Sequence, residues 1–238
     1  MEHFLCSINF KTISMKSVAT VFMLLISLSL FAQNPLDKKV GNFDEVKVYD
    51  LIEVNLIKSK ENKVVITGDD VDDVDIINKD GKLKIRMKLN KIFNGSKTFV
   101  AVHYTNLKTI DGNEGAYISS NELIEQNDIE LKAQEGARLK IGLDVNNLDV
   151  KAVSGGIVET RGKANTQNIN LNTGGIYEGK TFETKITNVT IKVAGEADVN
   201  ASDTVNAKVR AGGDISIYGN PQTVNEDTAL GGRIKRMN

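Results

Sequence analysis

The sequence predicts an all-β protein, a parallel β-solenoid with coils of about 20 residues preceded by a less regular β-rich half. Three observations support this prediction: a short apolar alternation that recurs at a near-constant period, a glycine after each copy, and asparagines in the same phase. No long stretch of helical period follows residue 35. With 238 residues, 40% of them hydrophobic and 26% charged, the chain has an ordinary globular composition, so a buried core is expected.

The chain begins with a segment typical of a secretory signal peptide, residues 1–33. Lys16 precedes an apolar run of about 14 residues, and the small residue Ala32 then leads into polar sequence. The run is shorter than the roughly 20 residues of a transmembrane helix, although an uncleaved anchor is the alternative. Met15 is an alternative start, and Cys6 lies before the apolar run, where a lipid-attachment cysteine does not occur. We therefore expect an exported protein whose mature form has no cysteine.

Residues 36–104 are rich in short alternating segments without a fixed period. Turn signals separate these segments, for example Lys79-Asp80-Gly81 and Asn94-Gly95. The alternating segments are Val46-x-Val48, Val54-x-Leu56, Val64-Val-Ile66, Val74-x-Ile76, Leu83-x-Ile85-x-Met87 and Phe99-x-Ala101. This half is either an irregular solenoid or a smaller β-sheet packed on its end. A cap is needed, because an open solenoid end is an unpaired edge that invites aggregation.

Residues 105–235 carry the regular repeat. Five copies of the alternation begin 19, 21, 20 and 18 residues apart. They are Ile129-x-Leu131-x-Ala133, Leu148-x-Val150-x-Ala152, Ile169-x-Leu171-x-Thr173, Val189-x-Ile191-x-Val193 and Ala207-x-Val209-x-Ala211. This period is too short for helical repeats, which need about 33 residues, and the leucine-rich-repeat signature is absent. The copies therefore predict stacked coils of short strands around a narrow core of small and β-branched side chains.

Two residue types mark the expected structural positions of each coil. Glycine supplies the turns, and asparagine suits a tight corner because it tolerates the left-handed backbone conformation. Side chains stacked about 4.8 Å apart can also form an amide ladder. The glycines are Gly136, Gly156, Gly175, Gly195 and Gly213. The asparagines are Asn106, Asn127, Asn147, Asn168, Asn188, Asn206 and Asn225.

Four segments of the chain resemble the putative auto-transporter adhesin, head GIN domain family. They are Phe43-Asp-Glu-Val-Lys-Val48, Val64-Val-Ile-Thr-Gly-Asp69, Gly81-Lys-Leu-Lys-Ile85 and Tyr218-Gly-Asn-Pro221. The resemblance covers residues 40–235 and implies a right-handed parallel β-helix in an exported bacterial protein. Its motifs are spacing patterns of glycine, asparagine and apolar residues, so it brings no catalytic or binding residue with it.

Candidate catalytic and metal-binding groups are few. His103 is the only histidine after the signal segment, and it lies in an apparent strand with no Gly-x-Ser-x-Gly motif anywhere, so a strand histidine is the expectation rather than a catalytic triad. Zinc lacks ligands. The acidic segment Asp69–Asp75 offers oxygen ligands to Ca²⁺ but does not match an EF-hand loop, and solvated loop charges are the alternative. No cofactor is expected.

Glu159 and Glu178 are the one candidate carboxylate pair. They lie 19 residues apart, so they are expected to stack on adjacent coils, where like charges raise a pKa and create an acid/base pair. The alternative is two surface acids offset by Lys180 and Arg161. For ligand contact, Tyr177 and Tyr218 are the expected exposed aromatic side chains of the regular coils.

Three classes of function remain open on this evidence. The first is a non-catalytic envelope or surface protein, an adhesin-like binding or scaffolding module whose partner is an envelope, host or extracellular glycan or protein. The second is a polysaccharide lyase or hydrolase on a β-helix, and the third is a purely structural or sensory envelope component. The net charge of −1 excludes a basic nucleic-acid footprint. The expected location is the periplasm, the outer cell surface or the medium.

Overall fold

Residues 35–237 are described in a computed structural model, and they form one continuous β-structure. Sixteen strands pair into a single connected sheet that winds into a solenoid of about seven turns, with less regular strands at the N-terminal side. No α-helix occurs in this part of the chain, and its only helical segments are short 3₁₀ turns. None of these is long and apolar enough to cross a membrane. The predicted all-β solenoid is confirmed. The predicted signal peptide lies outside the described residues.

The regular coils consist of long strands that stack in parallel. Strands β9 to β13 pair in chain order, so that Leu139, Val158 and Tyr177 occupy one row 19 residues apart. The strands of this half are β8 (Thr109–Gly112), β9 (Tyr117–Gln134), β10 (Arg138–Val153), β11 (Ile157–Asn172), β12 (Gly175–Val193), β13 (Gly195–Ala211), β14 (Asp214–Tyr218), β15 (Thr223–Thr228) and β16 (Arg233–Arg236).

Most coils close at a two-residue left-handed corner, whereas the corner before β13 has a positive φ only at Ala194. The corners Glu135-Gly136, Ser154-Gly155 and Thr173-Gly174 have φ values of 54° and 76°, 50° and 75°, and 50° and 74°. Two successive positive φ angles reverse the chain in the smallest number of residues, and glycine takes the second position without a Cβ penalty. These corners separate one long strand from the next and therefore set the coil period.

A second bend lies inside each long strand. The pairing register shifts between Lys140 and Gly142, and again between Glu159 and Gly162. Gly162 has a φ of 109°, and a Cβ at this position would run into the carbonyl oxygen of Leu143. Such bulges bend a strand, so the first part of each coil lies in one face of the solenoid and the last part lies in the other.

The N-terminal strands extend the same two faces. Strand β2 pairs in parallel with β6 and β8, and β3 pairs in parallel with β7 and β9, so the β2–β3 segment forms a coil inside the stack. Outside it, β1 and β4 pair antiparallel, as do β5 and β6. The strands are β1 (Leu36–Lys39), β2 (Glu45–Val48), β3 (Glu53–Lys58), β4 (Lys63–Gly68), β5 (Val74–Lys79), β6 (Lys82–Met87) and β7 (Thr98–Tyr104), with 3₁₀ turns at Val71–Asp73, Leu89–Lys91 and Gly95–Lys97.

The core is a single narrow cluster that runs through both halves. It extends from Phe43 to Ile217 and consists mainly of valine, isoleucine, leucine and alanine. The faces lie so close that a Cβ on Gly112 would lie 2.8 Å from Cδ1 of Leu139. Small and β-branched side chains therefore predominate inside, although the larger Tyr177 and Phe182 are also fully buried.

Candidate functional site

A polar groove crosses the stacked coils on one side of the described residues. It has a volume of about 850 Å³ and takes residues from five successive strands, β9 to β13, and from the segment after β14. Its lining residues are Gln126, Asp144, Val145, Asn146, Lys163, Ala164, Asn165, Glu183, Thr184, Lys185, Asn200, Ser202 and Gly219. We call this surface the coil groove.

The floor of the coil groove is one row of small, inward-pointing residues. Val145 pairs with Ala164, Ala164 with Thr184, and Thr184 with Ala201, so the row advances by one strand at each step. All four residues are buried. At Val145, Ala164 and Thr184 the floor strands pair with a neighbour on both sides, whereas at Ala201 strand β13 pairs only with β12. Most of the floor therefore presents no open strand edge.

Two rows of outward side chains form the walls. Asp144, Lys163, Glu183 and Asn200 are in register on one side, with the Lys163 ammonium 3.3 Å from the Asp144 carboxylate. The other side carries Asn146, Asn165, Lys185 and Ser202. The Asn165 amide donates to the Asn146 side-chain oxygen at 2.6 Å, and the Asn146 amide donates to that of Asn127. The second wall therefore includes a short amide ladder.

A buried polar chain lies beneath the coil groove. Tyr177 donates to the side-chain oxygen of Gln167 at 2.8 Å, and the Gln167 amide donates to the Thr187 hydroxyl at 2.7 Å. The Thr184 hydroxyl lies 2.8 Å from that of Thr187 and donates to the carbonyl of Asn200. Since the single hydroxyl proton of Thr184 is used there, Thr187 is the donor between the two. Every member has a partner, so the chain holds the groove floor rigidly against the core.

Tyr177 corrects a sequence prediction. It was expected to be exposed for ligand contact, but it is 1% exposed and points inward, in one row with Leu139 and Val158. Burial raises the pKa of its hydroxyl, and the hydrogen bond from Thr160 opposes that shift only in part. Tyr218 is half-buried, with the Lys180 ammonium 4.9 Å from its ring centre. Neither residue forms part of the groove lining.

Four of the predicted asparagines form one stacked row. Asn225 donates to Asn206, Asn206 to Asn188, and Asn188 to Asn168, at 2.7–2.9 Å, and Asn168 donates to Asp149. The other three lie elsewhere: Asn147 donates to Asp128, Asn127 accepts from Asn146, and Asn106 is in the loop after β7. None of the seven has a positive φ, so none uses the left-handed conformation that was expected of a corner asparagine.

The predicted glycines divide into two kinds. Gly136 and Gly213 have positive φ angles, whereas Gly156, Gly175 and Gly195 do not. Cβ atoms on Gly156 and Gly175 would run into the carbonyl oxygens of Ala133 and Ala152 on the preceding coil. These positions therefore need glycine for close approach between coils rather than for a turn.

Glu159 and Glu178 stack on adjacent coils, but a cation bridges them. The Arg138 guanidinium lies 3.0 Å from the Glu159 carboxylate and 2.6 Å from that of Glu178, and Lys140 lies 2.8 Å from Glu159. Burial raises the pKa of Glu159, but the hydrogen bonds from Lys140 and Arg138 outweigh it, so the net pKa is lowered. The partners are not the expected Lys180 and Arg161. A carboxylate with a lowered pKa is unsuited to general acid catalysis.

The acidic segment Asp69–Asp75 faces basic side chains of the 88–97 segment. Lys91 lies 3.8 Å from Asp70 and 3.4 Å from Asp73, and Lys97 lies 3.3 Å from Asp69. Among residues 35–237, no group of three or more acidic, histidine or cysteine side chains is arranged to hold a metal ion. His103 pairs in register with Ile57 and Lys63, which supply neither an acid nor a nucleophile.

Sequence reasoning missed Asp50. Its carboxylate is buried and accepts hydrogen bonds from the backbone amides of Met87 at 3.0 Å and Phe93 at 3.1 Å. It thereby fixes the segment that carries the exposed apolar side chains Leu89, Ile92 and Phe93. No local signal identifies this role, because the partners are 37 and 43 residues away.

These features define the class of the protein, a β-solenoid with a polar groove across its coils. The chain belongs to the family described as putative auto-transporter adhesin, head GIN domain, whose family model matches residues 42–221. No protein of curated function matches the chain.

Three solved structures share the fold. A putative adhesin from Bacteroides fragilis is 20% identical with a TM-score of 0.79, covering 85% of this chain and 96% of its own. One from Parabacteroides merdae is 16% identical with a TM-score of 0.72, covering 86% and 96%. A putative lipid binding protein from Parabacteroides distasonis is 17% identical with a TM-score of 0.61, covering 87% and 98%. At these identities the likeness concerns the fold.

Proposed function

We propose that this protein is an exported, non-catalytic, adhesin-like binding module of the cell envelope or cell surface, and that its partner lies in the coil groove. The observation that carries the proposal is the groove itself, a continuous concave surface whose side chains come from five successive strands. Family membership and the fold shared with putative adhesins support the adhesin-like role. Export rests on the predicted signal peptide at residues 1–33.

The enzyme alternative has less support. A glycoside hydrolase needs two carboxylates about 5–9.5 Å apart on either side of a substrate cleft, one of them as an acid. The stacked pair Glu159 and Glu178 is instead bridged by Arg138, and it does not line the coil groove. The groove acids are Asp144 and Glu183, and Asp144 is paired with Lys163. A purely structural or sensory role remains the other alternative.

Binding to an array of glycans and extracellular-matrix proteins tests the proposal, together with a lyase and hydrolase screen on the same polysaccharides. We expect saturable binding to at least one array component and turnover of none. Ser202→Trp should weaken the binding strongly, because Ser202 is exposed in the groove wall and an indole ring there occupies the part of the groove next to it. The matched control is Lys151→Trp on exposed Lys151, outside the groove lining. Turnover of a polysaccharide, or absence of binding to every component, contradicts the proposal.

A further inference from the structure

We propose that the coil groove binds a linear, uncharged, hydroxyl-rich polymer, a neutral polysaccharide, with its chain running along the solenoid axis. This inference rests on the proposed function and names the class of ligand for the same site. It is carried by the charge balance of the groove, by the chemistry of its second wall and by its repeat distance.

The charges of the groove lining cancel. Asp144 and Glu183 oppose Lys163 and Lys185, and the Asp144–Lys163 pair is within 3.3 Å. A groove without net charge has no long-range attraction for a polyanion such as a nucleic acid or an acidic polysaccharide. A neutral chain is favoured because it loses no ionic hydration on entering.

The second wall presents groups that both donate and accept hydrogen bonds. Asn146 uses one amide hydrogen on Asn127 and accepts one from Asn165, which leaves a second amide hydrogen and a free lone pair directed away from the ladder. Ser202 adds a hydroxyl oxygen further along the wall, an acceptor whose own hydrogen is donated to Asp203 at 2.6 Å. A sugar hydroxyl is also both a donor and an acceptor, so it can form hydrogen bonds with the free amide hydrogen and the free lone pair of such an asparagine.

The repeat distance of the wall suits a sugar chain. Neighbouring strands in a sheet are about 4.8 Å apart, so corresponding wall residues on successive coils are separated by this distance. One pyranose unit advances an extended glycan by a similar length. A polymer parallel to the axis can therefore place one unit on each coil and repeat the same contacts, and five successive strands accommodate about five units.

An extended peptide fits the groove less well. Peptides that bind by strand addition need an open strand edge, whereas the floor strands are paired on both sides at Val145, Ala164 and Thr184, three of the four floor positions. The hydroxyl of Thr184, the polar side chain in the floor, is already bonded to Asn200 and Thr187. The lining also has no aromatic side chain, so each sugar unit contributes only hydrogen bonds, and measurable affinity requires several units.

The test uses the purified protein and neutral linear oligosaccharides of one to eight units, drawn from glucose, mannose and xylose series, in titration calorimetry. For a series that binds, the affinity should rise at least about tenfold between two and five units and level off beyond about five, and it should change little between low and high salt. Heparin and polygalacturonate, the polyanionic probes, should bind at least about tenfold more weakly.

Matched variants locate the site. Asn146→Ala with Asn165→Ala should weaken binding of the five-unit oligosaccharide at least about tenfold. Asn188→Ala with Asn206→Ala removes equivalent ladder bonds outside the groove and should leave the affinity unchanged. If the first pair fails to fold, Ser202→Trp on exposed Ser202 still blocks the groove.

The outcomes separate the two proposals. Binding of a matrix protein or a polyanion in the groove, with no neutral oligosaccharide bound, overturns this inference and leaves the proposed function standing. Oligosaccharide binding that survives Ser202→Trp, or that does not depend on chain length, also overturns it. Absence of binding to any array component or oligosaccharide overturns both.

Discussion

At the residue scale, adjacent glycines of one corner have different physical reasons. Gly155 has a φ of 75° with nothing within 4 Å of a Cβ placed there, so only its backbone conformation favours glycine. Gly156 has no positive φ, but a Cβ there would run into the carbonyl oxygen of Ala133. The first position is a conformational requirement, and the second is a packing requirement of the stacked coils.

These reasons predict different costs for the same substitution. Gly155→Ala should lower the free energy of unfolding by about 1–2 kcal/mol, the cost of a left-handed alanine. Gly156→Ala should lower it by more than about 3 kcal/mol, because the backbone of the preceding coil must move. Urea unfolding followed by circular dichroism measures both. Equal losses for the two variants would contradict the packing requirement at Gly156.

At the element scale, the Arg138 bridge connects three strands. Arg138 begins β10, and the carboxylates that it contacts lie on β11 and β12, so one cation offsets the repulsion between two stacked acids. Because the net pKa of Glu159 is lowered in the folded protein, its contribution to stability is present above the unfolded pKa and is lost as the pH falls through the folded value.

Arg138→Gln should therefore destabilise the protein in a pH-dependent way. At pH 7 we expect a loss below about 1 kcal/mol, since all three side chains are partly exposed and screened. The loss should shrink as the pH falls through the lowered pKa of Glu159 in the unmodified protein, because a protonated carboxyl no longer pairs with the guanidinium. Thermal unfolding of both proteins from pH 3 to pH 8 measures the difference. The control is Arg210→Gln, which removes a cation from a single acid, Asp227. A loss that is equal at pH 3 and pH 7 would contradict the bridge.

At the scale of the whole molecule, the sheet ends in charged edge strands. Within the described residues, β16 pairs only with β14 and β15 only with β13, and their exposed residues include Glu226, Asp227, Arg233 and Lys235. At the other side, β1 lies at the outer edge with all four residues exposed, among them Lys38 and Lys39. Charges on an edge strand disfavour pairing with another sheet, so they protect the open ends of the solenoid from association with a second molecule.

Removing edge charges should cause self-association. Glu226→Val with Lys235→Val should give a concentration-dependent rise in light scattering, because both residues are exposed on edge strands. The matched control is Lys151→Val with Asn170→Val, which adds similar apolar area on interior strands β10 and β11. Scattering that rises equally in the two variants would show that apolar area, rather than the open edge, drives association.

Much of the solenoid was predictable from sequence because its pattern is local. The alternation from Ile129 onwards and the glycine at each corner repeat at the coil period, and each follows from backbone geometry within a few residues. The burial of Tyr177 was also accessible, since Leu139 and Val158 precede it at intervals of 19 residues and both are apolar. The role of Asp50 could not be predicted from the sequence, because the backbone amides that it binds belong to a distant segment.

The sequence by itself determined the β class, the coil period and the corners, since these depend on side-chain alternation and on glycine at left-handed positions. Only the tertiary structure decided which side chains share a row, because the bulges inside the strands change the register. Asn168 thus stacks on Asp149 rather than on Asn147, and Arg138 rather than Lys180 or Arg161 contacts Glu159. The coil groove is likewise a product of register, since its floor and walls are rows of residues that meet only when the coils are wound.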